Sequence, residues 1–361
     1  MADTRVVPVS AVKYGMKAET SFGVALDSSG DDGTAYLTQP VIQAQKPVFN
    51  ITRESRLLSG RGTVKNAADT IVNARGGTVT MPFDMLATPR TLAQHCLLVG
   101  QENGQSGSIV HEMEIDGSSN ATSIGGTISS GIPHTTNLAW YPAAGEGIKV
   151  AGVVCSDLTI SGDVAGNNGL LSISGNYFSG FSNTLSTATV LEQTFNGTWV
   201  DAETTYYNVL DMDTRTLDVD DNADASQTFI LKSFNFNISN GVNRIGFDTN
   251  GNAEAYAFPE YAVTGDITIK WDDEFDYGAA NNVLQDFLAG NTLSLAMKIG
   301  DGTVSSEGEC NIAAEIQYTG DPSIDMSENG LYHTLPFECV QNSSTEAFKI
   351  TSFKDEAVTV W

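Results

Sequence analysis

Basic residues are scarce in this sequence. Lysine and arginine together number 18, against 44 aspartates and glutamates, so the formal net charge is −26 at pH 7. A surface with this excess of negative charge repels the phosphates of nucleic acids. The composition therefore argues against a protein that holds DNA on a basic surface.

Cysteine and histidine are also scarce, and their spacing predicts no metal site. The four cysteines include no Cys-x-x-Cys pair, which argues against a zinc ribbon and a disulfide-rich scaffold, and we expect buried free thiols. The four histidines show neither His-x-x-x-His nor Glu-x-x-His spacing. These residues are Cys96, Cys155, Cys310 and Cys339, and His95, His111, His134 and His333.

Long apolar runs and signal-like segments are missing as well. No run approaches the roughly 18 apolar residues that a membrane span needs. The segment MADTRVVPVS lacks a basic flank followed by an apolar core. We therefore expect a soluble protein with no membrane partner.

Motifs of common enzyme and cofactor sites do not occur. Both G-x-S-x-G and the phosphate-binding G-x-x-x-x-G-K-[ST] are missing. An EF-hand calcium loop starting at Asp218 would have Ala223 where glycine is required and Phe229 where glutamate is required. We predict no catalytic residue, no cofactor and no metal, and we interpret residues 211–224 as an exposed acidic loop or linker.

Short runs of alternating apolar and polar residues predict a mainly β protein. PVFNITR at 47–53 and SFNFNISNGVNR at 233–244 place Phe and Ile on one face and Asn, Ser or Thr on the other. GGTVTMPFD near position 80 and GDITIKWDDEF at 265–275 alternate in the same way, and we expect Trp271 to belong to the core. All four segments are predicted as half-buried strands.

A short amphipathic helix is predicted after each member of the second pair. TPRTLAQHCLLVG has Thr88 as N-cap, Pro89 in the first turn and Gly100 at its end, and AANNVLQDFLAG ends at Gly290. Each helix carries an apolar stripe for packing on a sheet. The stripes are Leu92, Cys96 and Val99, and Leu284, Phe287 and Leu288.

The same elements recur in the same order, which indicates an internal repeat. Three pairs of residues keep nearly constant offsets of 187, 188 and 190 positions. The pairs are Asn50 with Asn237, Gly77 with Gly265, and Gly100 with Gly290. A further correspondence is predicted between the strands that begin at Cys155 and Cys310.

The repeat predicts two tandem β-sandwich or barrel domains, each with a short flanking α-helix. The predicted divisions are an N-terminal arm at 1–40, a first domain at 41–200 with a long loop at 101–147, an acidic linker at 201–226, and a second domain at 227–361.

Several of these segments together resemble the major tail tube protein of long-tailed bacteriophages. They are KAETSFGVALD at 17–27, FNITRESR, GGTVTMPFDMLATPRTLAQHCLLVG, SFNFNISNGVNR and FPEYAVTGDITIKWDDEF. The resemblance extends from about residue 12 to residue 300. It implies a virion structural protein of the tail, assembled in the host cytoplasm.

The resemblance also implies how such a protein works. Subunits form rings whose antiparallel strands join into a closed inner barrel, the rings stack into a tube, and DNA passes through the lumen to the host without specific binding. Residues 17–36 and 101–147 would be arms that reach an adjacent ring, and tape-measure and tail-end proteins would be partners. If each repeat is one tube domain, three chains form a pseudo-hexameric ring, which we favour over a ring of six chains.

Polar faces of the paired strands are the predicted lining of the lumen. The candidate residues are Asp157, Thr159, Ser161, Asp266 and Thr268. Two other functions stay open: a β-sandwich adhesion or carbohydrate-binding module of a phage fibre or cell surface, and a glycoside-active enzyme, since 44 acidic residues always offer carboxylate pairs.

Overall fold

The computed structural model describes the chain in nineteen segments. They are residues 12–19, 22, 36–41, 48–56, 69–106, 110–115, 133, 135–143, 146–181, 191–192, 199–200, 206–218, 226–248, 252–271, 275, 283–300, 309–328, 330–341 and 347–353. The predicted mainly β class is confirmed, because strands form most of these segments and only two α-helices accompany them.

Among the described residues up to 200, the structure has eleven strands and one α-helix. They are β1 (Lys13–Ala18), β2 (Tyr36–Thr38), β3 (Val48–Arg56), β4 (Asp69–Leu86), α1 (Pro89–Val99), β5 (Gln101–Ser106), β6 (Val110–Ile115), β7 (Thr136–Ala143), β8 (Glu146–Asp163), β9 (Ser172–Ser179), β10 (Leu191–Glu192) and β11 (Trp199–Val200).

In the described part of the chain after residue 200, there are eleven further strands and the second α-helix. They are β12 (Met212–Asp218), β13 (Ser226–Thr228), β14 (Leu231–Ser239), β15 (Asn243–Ile245), β16 (Ala255–Ala257), β17 (Ala262–Lys270), α2 (Val283–Ala289), β18 (Leu293–Ile299), β19 (Cys310–Tyr318), β20 (Ser323–Glu328), β21 (Gly330–Cys339) and β22 (Phe348–Phe353).

Eight strands form one continuous antiparallel sheet, which we call the main sheet. Their order is β3–β4–β9–β8–β14–β17–β21–β20. The predicted period-two alternation holds along it: Met81, Phe236 and Ile267 on one face are at most 2% exposed, and polar side chains occupy the other. The main sheet therefore has one core face and one polar face.

A second layer of strands covers the core face. Its order is β5–β6–β22–β19–β18–β12–β13. The rings of Phe236 in the main sheet and Phe348 in the second layer lie 5.3 Å apart, and both side chains are fully buried. Each such buried side chain contributes about 1.5–3 kcal/mol relative to exposure. One apolar cluster runs through both halves of the chain, and the predicted division into two domains stays a prediction.

A smaller sheet continues from one end of the main sheet through the long strand β8. Its order is β10–β8–β7–β1–β2–β11, and it includes the two strands of the predicted N-terminal arm. Strand β8 passes from this sheet to the main sheet near Gly152, whose φ of +61° is a left-handed conformation that favours glycine. Residues 1–11, 20–21 and 23–35 of the predicted arm lie outside the described residues.

The two predicted helices form, with one error in their packing. Helix α1 begins after the N-cap Thr88, whose side chain accepts from the Thr91 amide, and Gly100 follows its end. The predicted stripe of α1 is buried. In α2 the prediction that Leu288 packs on a sheet is wrong, because this side chain is 74% exposed while Val283 is buried.

The internal repeat is visible in the main sheet. Its halves β3–β4–β9–β8 and β14–β17–β21–β20 have the same order relative to the sequence: first, second, fourth and third strand of each half. Phe83 stacks on Tyr177 with ring centroids 4.3 Å apart, and Trp271, half-buried, stacks on His333 at 4.3 Å. Matching aromatic pairs thus lie between the second and fourth strands of both halves.

The further correspondence predicted between the strands at Cys155 and Cys310 is wrong. Cys155 lies in β8 of the main sheet, whereas Cys310 lies in β19 of the second layer. By sheet order β8 corresponds to β20, and β19 corresponds to β6. Alternation alone made the two strands look alike, because every half-buried strand shares that pattern.

Two predicted loops also contain strands. Residues 212–218 of the predicted acidic loop form β12, because Met212 and Leu217 are buried and the strand pairs with β18. The predicted long loop at 101–147 contains β5, β6 and β7 and the beginning of β8. Its residues 107–109, 116–132, 134 and 144–145 lie outside the described residues.

Candidate functional site: the polar face of the main sheet

The five residues predicted to line a lumen lie together on the polar face. Ser161 of β8 is directly opposite Asn235 of β14, which is directly opposite Asp266 of β17. Opposite residues of an antiparallel pair point to the same side of a sheet. Asp157, Thr159 and Thr268 occupy alternate positions on the same strands, so the structure brings the whole set onto one face of the sheet. Thr268 is only 6% exposed there, so its side chain is buried and does not itself form the surface.

Side-chain hydrogen bonds between and along the strands join these residues at the junction between the two halves. The Thr159 hydroxyl donates to the Asn237 side-chain oxygen at 2.7 Å. The Asn237 amide donates to the Asn235 side-chain oxygen at 3.2 Å, and the Asn235 amide donates to the Asp266 carboxylate. The polar groups of the junction are therefore satisfied by one another along the surface.

Sequence reasoning missed the asparagines of this surface. Asn176 donates to the Asp157 carboxylate at 2.9 Å, and Asn235 and Asn237 link the halves. For Asn235 and Asn237, the signal was present in the alternation of SFNFNIS at 233–239. It pointed to a polar face without showing which strand would lie opposite, because strand register is set by non-local pairing.

One straight row shows how far the polar face extends. It crosses six strands, β4, β9, β8, β14, β17 and β21, in direct register. Its members are Asp84, Ser174, Thr159, Asn237, Thr264 and Glu338. Small hydroxyl and amide groups fill the middle of the row, and carboxylates lie at both ends.

The charge of the polar face is predominantly negative in its described part. Its carboxylates are Asp84, Asp157, Asp163, Asp266 and Glu338. The lysines Lys232 and Lys270 lie at one end, where the Lys232 ammonium is 4.7 Å from the centre of the Tyr332 ring. A surface with this charge repels phosphate groups.

A shallow depression of about 330 Å³ lies on the polar face beside the junction of β8 and β14. Its lining includes Asp163, Asn167, Ser233 and Asp266. No group of three or more potential metal ligands occurs among the described residues. The depression is lined largely by polar side chains, and its described residues form no recognisable set of reacting groups.

Burial holds His95 and two cysteine thiols on the core side in their neutral forms. Burial lowers the pKa of His95 to about 4. Burial raises the pKa of the Cys310 and Cys339 thiols to about 12, so neither is a thiolate nucleophile at neutral pH. All four cysteines are free thiols, as predicted, and three are buried while Cys339 is half-buried.

In the described part of the chain, neither helix has the length and apolar character needed to cross a membrane. We compared the sequence with models of protein families and with curated proteins, and neither comparison finds a match.

Proposed function

We propose that this chain is a structural subunit of a phage tail tube. Three chains close a ring, the rings stack into a tube in the virion tail, and the polar face of the main sheet lines a bore through which DNA passes. The observation that carries the proposal is the antiparallel pairing of β8 with β14 within one chain. The same kind of pairing can form between the margin strands of two chains.

The junction joins the third strand of the first half to the first strand of the second half. The free margins of the main sheet are then β3, a first strand, and β20, a third strand, which borders β21 up to Thr334, while β19 of the second layer pairs with β21 from Phe337 to Cys339. Among the described residues, β3 pairs only with β4, and β20 pairs only with β21. A second copy can therefore place its β3 beside β20 and reproduce the antiparallel junction that the chain already contains.

Exposed apolar side chains at both margins support this pairing. Val48 of β3 is 52% exposed, and Ile324 and Met326 of β20 are 39% and 73% exposed. Open strand margins with apolar side chains favour association with another chain, and a closed ring leaves no margin open. Ring closure thus explains the exposed apolar side chains on the margin strands, which would favour aggregation of a monomer.

The number of strands fits a bore. Three chains supply 24 strands, which at a spacing of about 4.8 Å give a circumference of about 115 Å before tilt. Barrels of 16–18 strands already leave an aqueous channel. With the core face packed on the second layer, the polar, acidic face is the one left to surround the channel.

Native mass spectrometry and negative-stain microscopy of the purified protein test the proposal. Three chains of 38.3 kDa give a ring of about 115 kDa, and stacked rings give hollow tubes. A ring of six chains contradicts the trimeric arrangement. Monomers that never polymerise contradict the tube itself, and monomers that hydrolyse glycosides support the enzymatic alternative.

A further inference from the structure

Four polar residues form a compact block on one face of the smaller sheet. Lys17 of β1 lies directly opposite Asn137 of β7. Glu19, just after β1, and Thr135, just before β7, are the next residues on that face, and the Thr135 hydroxyl donates to the Glu19 carboxylate at 2.6 Å. We call these four residues the Lys17 block. Opposite residues of an antiparallel pair have Cβ atoms about 4.5–5.5 Å apart, so the long Lys17 side chain can reach the Asn137 carboxamide.

The Lys17 block is buried, which is unusual for a lysine and a glutamate. Lys17 is 3% exposed, Glu19 is 8% exposed and Asn137 is 1% exposed. Lysine and glutamate are almost never buried to this extent unless they are paired, because taking a charge out of water costs free energy. Lys17 and Glu19 lie two positions apart on one strand face, about 7 Å along the chain, so each is placed to compensate the other.

The surroundings of Glu19 hold its carboxyl group in one place and keep water away. Its second oxygen accepts from the Gly152 amide. The carbonyl of Gly152 in turn accepts from the Tyr256 hydroxyl at 2.6 Å. Tyr256 packs in a small buried apolar cluster with Phe181 and Phe258. The carboxyl group is therefore fixed between backbone and side-chain donors at the margin of an apolar cluster.

An amine, a carboxamide and a carboxyl group in this arrangement can react with one another. A buried site disfavours separated charges, so a lysine and a glutamate held there can exchange a proton and become a neutral amine and a neutral acid. A neutral amine is a nucleophile, and the carbon of a carboxamide is its electrophile. The carboxyl group can then move protons between the two nitrogens as an acid–base group.

We propose that Lys17 and Asn137 form an intramolecular isopeptide bond, with Glu19 as the acid–base group. A bond forms between Lys17 Nζ and Asn137 Cγ, and the bond between Cγ and Nδ2 of Asn137 breaks. Nζ gives up two protons, which Glu19 relays, and Nδ2 leaves with them as ammonium. One ammonium group and one carboxamide thus become one amide and one ammonium ion, without an oxidant or a cofactor.

The bond connects two strands that are far apart in sequence. Strand β1 belongs to the predicted N-terminal arm, and β7 belongs to the body of the smaller sheet. A covalent link between them closes the intervening chain into a loop, as a disulfide does, and restricts the unfolded state. This role goes beyond the proposed function and is independent of it, because it requires a single chain and no ring.

A second lysine in the described strands provides an internal comparison. Lys298 of β18 lies directly opposite Asn311 of β19. Both side chains are partly exposed, unlike those of Lys17 and Asn137. Water therefore competes for the Lys298 ammonium group, and we expect no bond there. Trypsin should cleave after Lys298 and fail to cleave after Lys17 in the same sample.

Mass spectrometry of the purified full-length protein tests the proposal directly. The mass of the wild type is expected to lie below that of its sequence by one molecule of ammonia. The tryptic digest is expected to contain residues 14–53 joined to residues 91–149, which distinguishes this bond from loss of ammonia at another asparagine. Unlinked peptides with complete cleavage after Lys17 overturn the proposal.

Three variants assign the roles of the residues. Asn137→Ala is expected to restore the full mass and cleavage after Lys17. Acid–base groups contribute about 10²–10⁴-fold to proton-transfer steps, so freshly purified Glu19→Gln is expected to be mostly unlinked. Lys13→Arg is the matched control, because Lys13 lies on the same face of β1 but opposite Tyr141, and it should be linked as fully as the wild type. Equal linking in Glu19→Gln and the wild type overturns the role given to Glu19.

Discussion

The side chain of His95 in α1 is polar but fully buried in the core, where burial favours its neutral form. Its Nδ1 lies 2.6 Å from the Thr91 carbonyl oxygen, and its Nε2 contacts the Tyr177 hydroxyl. Because a carbonyl only accepts, Nδ1 carries the proton and Nε2 accepts from Tyr177. A second proton on Nε2 would remove that acceptor in a site without solvent, which is consistent with the lowered pKa.

We predict that His95 makes the fold sensitive to mild acid. The unfolded chain takes up a proton near the usual pKa of 6.5, whereas folded His95 does so only at about 4. The contribution of His95 to the free energy of unfolding is therefore fully present above the unfolded pKa and is lost as the pH falls toward 4. Between pH 7.5 and 5 this loss is about 2 kcal/mol. Urea unfolding at both pH values should show this loss in the wild type and a smaller one in His95→Gln. Equal losses contradict the assignment to His95.

Gly152 is the residue at which β8 changes sheets, and two constraints apply there. Its φ is +61°, and a Cβ at this position would lie 2.4 Å from the Phe181 ring. Gly290, after α2, has a similar φ of +68° but open space around it. The two glycines separate the effect of backbone strain from the effect of crowding.

We predict that Gly152→Ala lowers the free energy of unfolding by about 3 kcal/mol and Gly290→Ala by about 1 kcal/mol. The second variant suffers only the left-handed backbone, while the first also displaces an aromatic ring of the core. Denaturant unfolding of both variants checks the difference. Losses of the same size would mean that Phe181 moves aside without cost.

At the scale of elements, local patterns predicted strands and helices well. The two alternating pairs, the N-cap Thr88 and the ends at Gly100 and Gly290 all agree with the structure, because each depends on neighbours in sequence. Strand β12 was missed, since Met212 and Leu217 are separated by polar and charged residues that resemble a loop. Burial there comes from pairing with β18, which lies about 80 residues away in sequence.

Pairing between distant strands limited the prediction of the candidate site in the same way. Asp157, Thr159 and Ser161 could be placed on one face from β8 alone, and Asp266 and Thr268 on one face from β17. That β14 lies between these strands, and that Asn235 and Asn237 complete the surface, depends on register. Register is decided by the packed core, not by local sequence.

The margin strand β20 is the element on which ring closure depends in the proposed function. We predict that Ile324→Lys combined with Met326→Lys reduces ring formation by about tenfold or more, because two charges would have to be buried beside a partner strand. Circular dichroism should be unchanged, since both side chains are exposed in the single chain. Sedimentation velocity measures the ring fraction.

Leu288→Lys is the control for this experiment, as it adds one charge at an exposed apolar position away from the margins. Rings of this variant are expected at the wild-type level. Normal rings from the β20 double variant would show that this margin is not the contact between chains, and the three-chain arrangement would then have no structural basis.

At the scale of the whole molecule, the polar face and the sheet margins support one arrangement. Eight strands in two matching halves present a continuous acidic surface, and both open margins belong to the same surface. In the ring of the proposed function, that surface faces inward and the acidic rows of successive chains join. The net charge of −26 then has a physical role, because a bore that attracted phosphate would hold DNA along its length.

We predict that charge reversal on this face changes DNA passage without preventing assembly. Asp157→Lys combined with Asp266→Lys removes two negative and adds two positive charges per chain, which raises the net charge by about four per chain and about twelve per three-chain ring and creates phosphate contacts in the bore. Tubes should form normally, retain duplex DNA at low salt and release it as salt rises, and particles that carry them should eject DNA more slowly. Asp157→Asn combined with Asp266→Asn keeps side-chain oxygens for Asn176 and Asn235 and should bind DNA far less. If ejection kinetics do not change in the lysine variant, these residues do not face the bore, and the polar face must then lie on the outside of any ring.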